Sequence, residues 1–300
     1  MKYAAIDIGT NTVLLLVVEK DECLRDIIDL STIVKLGEGL TNSGCLSRAA
    51  MSRTMEALKR YADITSSHNV KKLFCVGTAA LREAQNSEEF ASAVKDAFGF
   101  NVEIISPERE AYYAYISVRD DPRVCSDDMA IVDIGGGSTE VIDGSRKVFT
   151  GYDSLPMGSV KLTDMFITRD PPVREELERA VSHIKKTLSR IVCREGSVLV
   201  GTGGTLTNIA SIMIGLQEYD KERIHGFSLE LPQLERLTAE LAALSSAGRK
   251  ALKGMEQGRE DIILQGTLIL KEIMLHGGFQ KCVVSAKGVR YGVIYEKCRE

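Results

Sequence analysis

Two aspartates set the chemical question. Asp7 sits in AIDIGTNTV (5–13) and Asp133 in IVDIGGGSTEV (131–141), each closing an apolar run and each followed within two residues by a glycine turn rich in hydroxyls. A carboxylate at such a strand tip is poised to hold Mg²⁺, usually through water, beside bound phosphates; Mn²⁺ suits the same oxygen donors. The turns themselves share one design. Gly9, Thr10 and Asn11 form the first, and Gly136, Gly137, Ser138 and Thr139 lie in the second. Gly203, Gly204 and Thr205 lie in GTGGT (201–205), with GEG (37–39) as a weaker fourth member. Glycine lets backbone N–H groups approach an oxyanion, and Ser or Thr adds a donor. GTGGT also opens a helical pattern, where the helix dipole favours an anion. A single loop of this kind is equally a plain tight turn, and a lone aspartate equally caps its own turn. The repetition makes turns alone a poor explanation. There is no GxxxxGK[ST] motif, which excludes the P-loop class, and no usual GxGxxG for a dinucleotide fold.

The elements that must position these groups can be read along the chain. YAAIDIG and NTVLLLVVE read as paired strands, with a third strand signal over 24–36. Helical spacing covers 46–66, with Ser47 as N-cap, then 79–85 and 88–98 around the short strand KLFCVG. After a strand at 102–105, Ser106 and Pro107 suit the start of another helix. The polar stretch RDDPRVCSDD (119–128) is the expected domain boundary, giving domains 1–122 and 123–300. The strand–turn–strand start then recurs with MAIVDIGG and STEVIDG. A third strand, a short helix, an amphipathic helix over 173–192, the strand SVLVG, helices at 233–244 and 261–275, the strand KCVVSA and a last helix GVRYGVIYEKC follow. The aspartates are 126 residues apart, close to a domain length, so the expectation is α/β: two similar domains facing a cleft.

Composition narrows the class. The chain has 300 residues, 27% of them charged, with a net charge of −4, so no broad nucleic-acid footprint is indicated. The seven cysteines are scattered without a CxxC pair and read as reduced, mostly packed thiols. The sequence begins without a signal-peptide pattern and has no apolar run of membrane-spanning length, so a cytoplasmic protein is expected.

The doubled phosphate-loop plan resembles the superfamily of sugar kinases, actin and heat-shock ATPases. Within it the chain resembles the exopolyphosphatase and guanosine pentaphosphate phosphohydrolase family, in a short two-domain form. The resemblance runs through AIDIGTNTV, LGEGL, GTAALREAQN (77–86), SPEREA (106–111), VDIGGGSTEV, SLPMGSVKLT (154–163), GTGGTLTNIA (201–210), His225-Gly226, GREDIILQG (258–266) and VSAKGVRYGVI (284–294). It implies an actin-like fold and makes Glu110 the general base that activates water. It makes Glu140 the second functional glutamate, orienting water or helping to hold the metal, and Arg82 and Arg259 phosphate ligands, for which bidentate guanidinium geometry is suited. Arg290 is a further cationic candidate. Glu108, two residues from Glu110 on a helix, is not expected to share its face. Strand alternation puts Glu140 on the face of Ser138. Where many relatives carry arginine after DIGTNTV, this chain has Leu14, so one phosphate contact is expected to be missing.

The resemblance therefore implies metal-dependent hydrolysis of the terminal phosphate of inorganic polyphosphate, with the 5′-phosphate of guanosine pentaphosphate as the alternative substrate. A homodimer is expected on base rate. An ATP-dependent small-molecule kinase and a non-catalytic phosphate-binding module are the other classes considered. The glutamate at the SPEREA position speaks against the kinase, whose acceptor base is usually an aspartate.

Overall fold

A computed structural model describes residues 1–192 and 196–298. By packing, these fall into two units, Met1–Ser117 with Val289–Glu300, and Val118–Gly288. The sequence boundaries 1–122 and 123–300 leave the last helix with the second half; packing groups it with the first.

The first unit runs β1 (Lys2–Ile8), β2 (Thr12–Lys20), β3 (Leu24–Ile33), α1 (Leu40–Ser43), α2 (Arg48–Ser67), β4 (Lys72–Gly77), α3 (Ala79–Glu83), α4 (Ser87–Phe98), β5 (Val102–Ile104) and α5 (Pro107–Val118). Its sheet has the order β3-β2-β1-β4-β5. The first three strands are antiparallel and the last two join in parallel. β2 is buried on both faces over most of its length, which is why TVLLLVV reads as a continuous apolar run rather than an alternation. Ile6, Ile8, Val13, Leu15, Leu58, Tyr61 and Phe90 are among the buried residues of its core. Ser47 caps α2 by accepting from the Ala50 amide, and Ser106 Oγ accepts from the Arg109 amide at the start of α5, as the sequence predicts.

The second unit runs β6 (Met129–Ile134), β7 (Thr139–Gly144), β8 (Phe149–Leu155), α6 (Ser159–Phe166), α7 (Arg174–Leu188), β9 (Val198–Thr202), α8 (Gly204–Ile214), α9 (Lys221–Ile224), β10 (Ser228–Glu230), α10 (Leu231–Ala243), α11 (Ser246–Lys250), α12 (Ile263–His276) and β11 (Lys281–Val284). Its sheet order is β10-β11-β9-β6-β7-β8. Read from β8 to β11 this is the plan of the first sheet, again with an antiparallel start and parallel continuation. The duplication expected from the two aspartates is therefore present in the topology, and the α/β class holds. α12 is apolar nearly all round because it is buried on most faces.

The ends of the second unit are tied to each other. Asp121 Oδ2 lies 2.6 Å from Lys287 Nζ and 3.1 Å from His225 Nε2. His225 Nδ1 accepts from the Ala286 amide at 3.2 Å, which assigns the proton to Nε2. This gives the His225-Gly226 pair a structural role.

α13 (Val289–Lys297) belongs to the first unit. Its Arg290 donates through Nε and Nη2 to Asp29 on β3 at 3.1 and 2.7 Å, and its Tyr291 hydroxyl donates to Asp26 at 2.5 Å. Cys75, Cys282 and Cys298 are buried, Cys45 and Cys125 partly so, and Cys23 is exposed; Cys193 lies outside the described residues. Among the described residues, no helix is long and apolar enough to cross a membrane.

Candidate active site

In each unit the candidate residues gather at the carboxyl ends of the central strands, the end where open α/β sheets place ligands. In the first unit Asp7 lies one residue from the end of β1, directly opposite Leu14 on β2. It is buried, and its Oδ1 has no hydrogen-bond partner. The loop beyond it is braced by its own backbone. The Gly9 amide donates to the Thr12 carbonyl at 3.0 Å, the Val34 and Lys35 amides both donate to the Asn11 carbonyl at 2.9 Å, and the Gly37 amide donates to the Thr10 carbonyl at 2.8 Å. Gly37 sits flush against the Thr10 methyl, so the GEG loop supports the first loop. Asn11 Oδ1 is a second buried acceptor without a partner.

Arg82 and Glu110 meet in this unit. Arg82 Nη1 on α3 donates to Glu110 Oε2 on α5 at 2.6 Å and to the Ile105 carbonyl at 3.1 Å. Glu110 is 7% exposed, whereas Glu108 is on the exposed side of α5, as their helical spacing predicts. Burial raises the Glu110 carboxyl, and the Arg82 charge and hydrogen bond work against that rise. Burial, reinforced by the Glu110 charge, pushes Asp7 up to about 7, against the pull of Arg290 and Arg82. Asp7, Glu110, Arg82 and Arg290 thus form one electrostatic group, although Arg290 is bonded to Asp29.

In the second unit Asp133 pairs across the ladder with Glu140. Glu140 is 1% exposed and accepts from Ser154 Oγ at 2.9 Å. Ser138 precedes the first strand residue, Thr139, so strand alternation does not relate it to Glu140; its carbonyl instead accepts from the Gly135 amide at 3.0 Å. The carbonyls of Gly135 and Gly136 take the first amides of α6, from Ser159, Val160 and Lys161, each at 3.0 Å. Thr139 is fully buried and donates to the Met157 carbonyl at 2.7 Å. Its hydroxyl thereby ties the start of β7 to the connection between β8 and α6.

Gly203 has φ +89° and lies against Asp133 Oδ1, leaving no room for a Cβ. A Cβ on Gly204 would stand 2.7 Å from the Arg259 Cζ. Arg259 is 6% exposed and ion-paired with Glu256. The structure therefore brings Asp133, Gly203, Gly204 and Arg259 together, with Thr205 buried in the first turn of α8 and its methyl against Gly266.

Thr78 is a site neighbour that the sequence reading missed. It is buried, and its Oγ1 is 4.0 Å from where a Gly9 Cβ would stand. The signal was available: Gly77-Thr78 at the end of β4 repeats Gly201-Thr202 at the end of β9.

Oxygen donors with an orphaned, buried carboxylate atom fit a hard divalent cation at Asp7. Among the described residues no group of three or more His, Cys, Asp or Glu could cage a metal. Asp7 alone thus offers a hard cation part of an oxygen ligand set, and the rest would have to come from elsewhere.

The model of the Ppx/GppA phosphatase family matches residues 16–300. The chain is 29% identical to exopolyphosphatase 2 of Mycobacterium tuberculosis, over 91% of the chain and 89% of that protein. It is 29% identical to the guanosine-5′-triphosphate,3′-diphosphate pyrophosphatase of Aeromonas hydrophila, over 98% of the chain but 58% of that protein. It is 31% identical to a bifunctional 3-dehydroquinate synthase/phosphatase of Fusobacterium nucleatum, where it spans 46% of the relative's length. Among solved structures, a Ppx/GppA family member of Aquifex aeolicus superposes with TM-score 0.84 at 32% identity, covering 100% of this chain and 98% of that one. An exopolyphosphatase of Cytophaga hutchinsonii superposes with TM-score 0.92 at 25% identity, covering 100% and 98%.

Proposed function

The chain belongs to the Ppx/GppA phosphatase family, and from that premise we propose that it is a phosphoanhydride hydrolase acting as an exopolyphosphatase, with Glu110 as its general base. The observation that carries this reading is the part-buried Arg82–Glu110 pair, whose charges act on the orphaned Asp7 carboxylate of the same unit. Glu110, once ionised, accepts a proton from water as the water attacks the terminal phosphorus. The bond to the next bridging oxygen breaks, and orthophosphate leaves. Arg82 holds one carboxylate oxygen and fixes the direction of the other. Gly9, Thr10 and Asn11 in one unit, and Gly136, Gly137, Ser138, Gly203, Gly204 and Thr205 in the other, supply donors to phosphate oxygens. Arg259 adds a guanidinium. Asp7 and Asp133 are each proposed as a carboxylate for Mg²⁺, which would neutralise charge on phosphate oxygens.

Polyphosphate stands ahead of guanosine pentaphosphate because the exopolyphosphatase relative matches over 89% of its length and the Aeromonas relative over 58%. A cytoplasmic homodimer completes the proposal. The test is orthophosphate release from short polyphosphate, long polyphosphate and guanosine pentaphosphate with Mg²⁺. Polyphosphate is expected to turn over fastest, and faster release from guanosine pentaphosphate reverses the substrate order. Glu110→Gln is expected to lower kcat by on the order of 10²–10⁴; unchanged turnover removes Glu110 as the base.

A further inference from the structure

Glu110 is gripped by Arg82, but the residue before it on α5 is gripped as well. Arg109 donates through Nη1 and Nη2 to both carboxylate oxygens of Glu296 on α13, at 3.1 and 2.5 Å. The same Nη2 donates to the Tyr113 hydroxyl at 2.7 Å, and that hydroxyl donates to Glu296 at 3.2 Å. The guanidinium also lies over the Tyr113 ring, 4.7 Å from its centroid. Tyr113 is one turn along α5 and fully buried. The two helices touch by their backbones at this point: a Cβ on Gly292 would stand 2.6 Å from both Cα and C of Tyr113.

Consecutive helical residues point about 100° apart around the axis. Arg109 and Glu110 therefore hold α5 from two directions, one through α13 and one through α3. A single grip would leave the helix free to roll about its axis, and rolling carries the Glu110 carboxylate through an arc. Two grips fix both its phase and its height. At the other end of α13, Arg290 is anchored to Asp29, so the helix that holds Arg109 is itself fixed to the sheet bearing Asp7.

We propose that Arg109, Glu296 and Gly292 are positioning residues for the reaction, a clamp through which α13 sets the orientation of Glu110. This rests on the reading of Glu110 as the base. None of the three needs to touch substrate. Their effect falls on the attack, where displacing a reacting group by an ångström costs orders of magnitude in rate, and little of it falls on substrate affinity.

The test is steady-state phosphate release from polyphosphate by the wild type, Glu110→Gln, Glu296→Gln, Arg109→Glu and the exchange Arg109→Glu/Glu296→Arg, with melting temperatures for each. Glu296→Gln sits on a partly exposed pair and is expected to fold normally. We expect kcat to fall roughly tenfold with KM changed less than twofold, and the exchanged pair to recover most of the loss relative to Arg109→Glu. Unchanged kcat in Glu296→Gln, a loss shared equally by KM, or a loss that tracks a lowered melting temperature overturns the clamp. These outcomes are separable from failure of the underlying reading, because that failure shows as full turnover by Glu110→Gln.

Discussion

A carboxylate that must accept a proton from water near neutral pH has to be basic enough to take it and ionised enough to be ready, and Glu110, the base proposed above, lies under two opposing influences. Burial raises it and Arg82 restrains the rise. Replacing Arg82 with Met removes the restraint, so the carboxyl rises further and stays protonated to higher pH. The acidic limb of kcat/KM is expected to move upward. Each unit of displacement costs about tenfold at pH values below the limb. A pH–rate profile checks this, and a limb that stays in place would mean that Arg82 does not tune Glu110. Asp7, Asp133 and the glycine loops were legible in the sequence because each is a local pattern within ten residues. The partners that aim the side chains were not. Arg290 reaches Asp29 across 261 positions, and Arg109 reaches Glu296 across 187. No spacing rule connects such residues before the chain is folded.

At the scale of elements, the hairpin and strand–helix junctions depend on close backbone approach. Gly158, just before α6, lies against the backbone of Gly136 and Gly137, and a Cβ there would stand 2.6 Å from the Gly137 nitrogen. Backbone cannot move aside as a flexible side chain can. Gly158→Ala is expected to destabilise the protein by about 1–3 kcal/mol and to raise KM for polyphosphate by displacing the loop, which denaturant titration and steady-state kinetics would show. The longer elements followed their periodicity closely: α2, α5, α8 and the paired strands begin within two residues of where the pattern places them. α9 and α11, four and five residues long, escaped notice because they are too short to show a helical period. α13 was recognisable as a helix, but its place was not. Gly292 sets its packing on α5, and a glycine in a helical pattern does not say what it will touch.

For the molecule as a whole, the two sheets repeat one topology but not one chemistry. The ladder position that faces Asp133 holds Glu140, while the position that faces Asp7 holds Leu14. The duplicated aspartates made this plan legible, and the divergence at the facing position gives the halves different electrostatics. Elsewhere the polar network at Asp121 is expected to contribute to acid stability. Burial works to raise that carboxyl, but hydrogen bonds from His225, Lys287 and the Arg123 amide outweigh it and hold it well below the usual range. A depressed carboxyl stabilises the fold fully above its unfolded value, near 4, and the contribution fades as pH falls below that. Asp121→Asn is therefore expected to cost about 3 kcal/mol at pH 7, with the gap to wild type narrowing toward pH 3. Urea unfolding at the two pH values measures it.

The Asp121–Lys287 contact also bears on how the chain comes together. The first unit is discontinuous, because residues 118–288 are threaded between its α5 and α13. Drawing the ends of about 170 disordered residues together costs on the order of 5 kcal/mol in loop entropy. Once the inserted segment has folded, its own ion pair already holds those ends within bonding distance. The insertion then acts as its own splint: α13 arrives next to the half it must complete, and the half that carries Glu110 waits for the chain beyond the insertion to finish its wall.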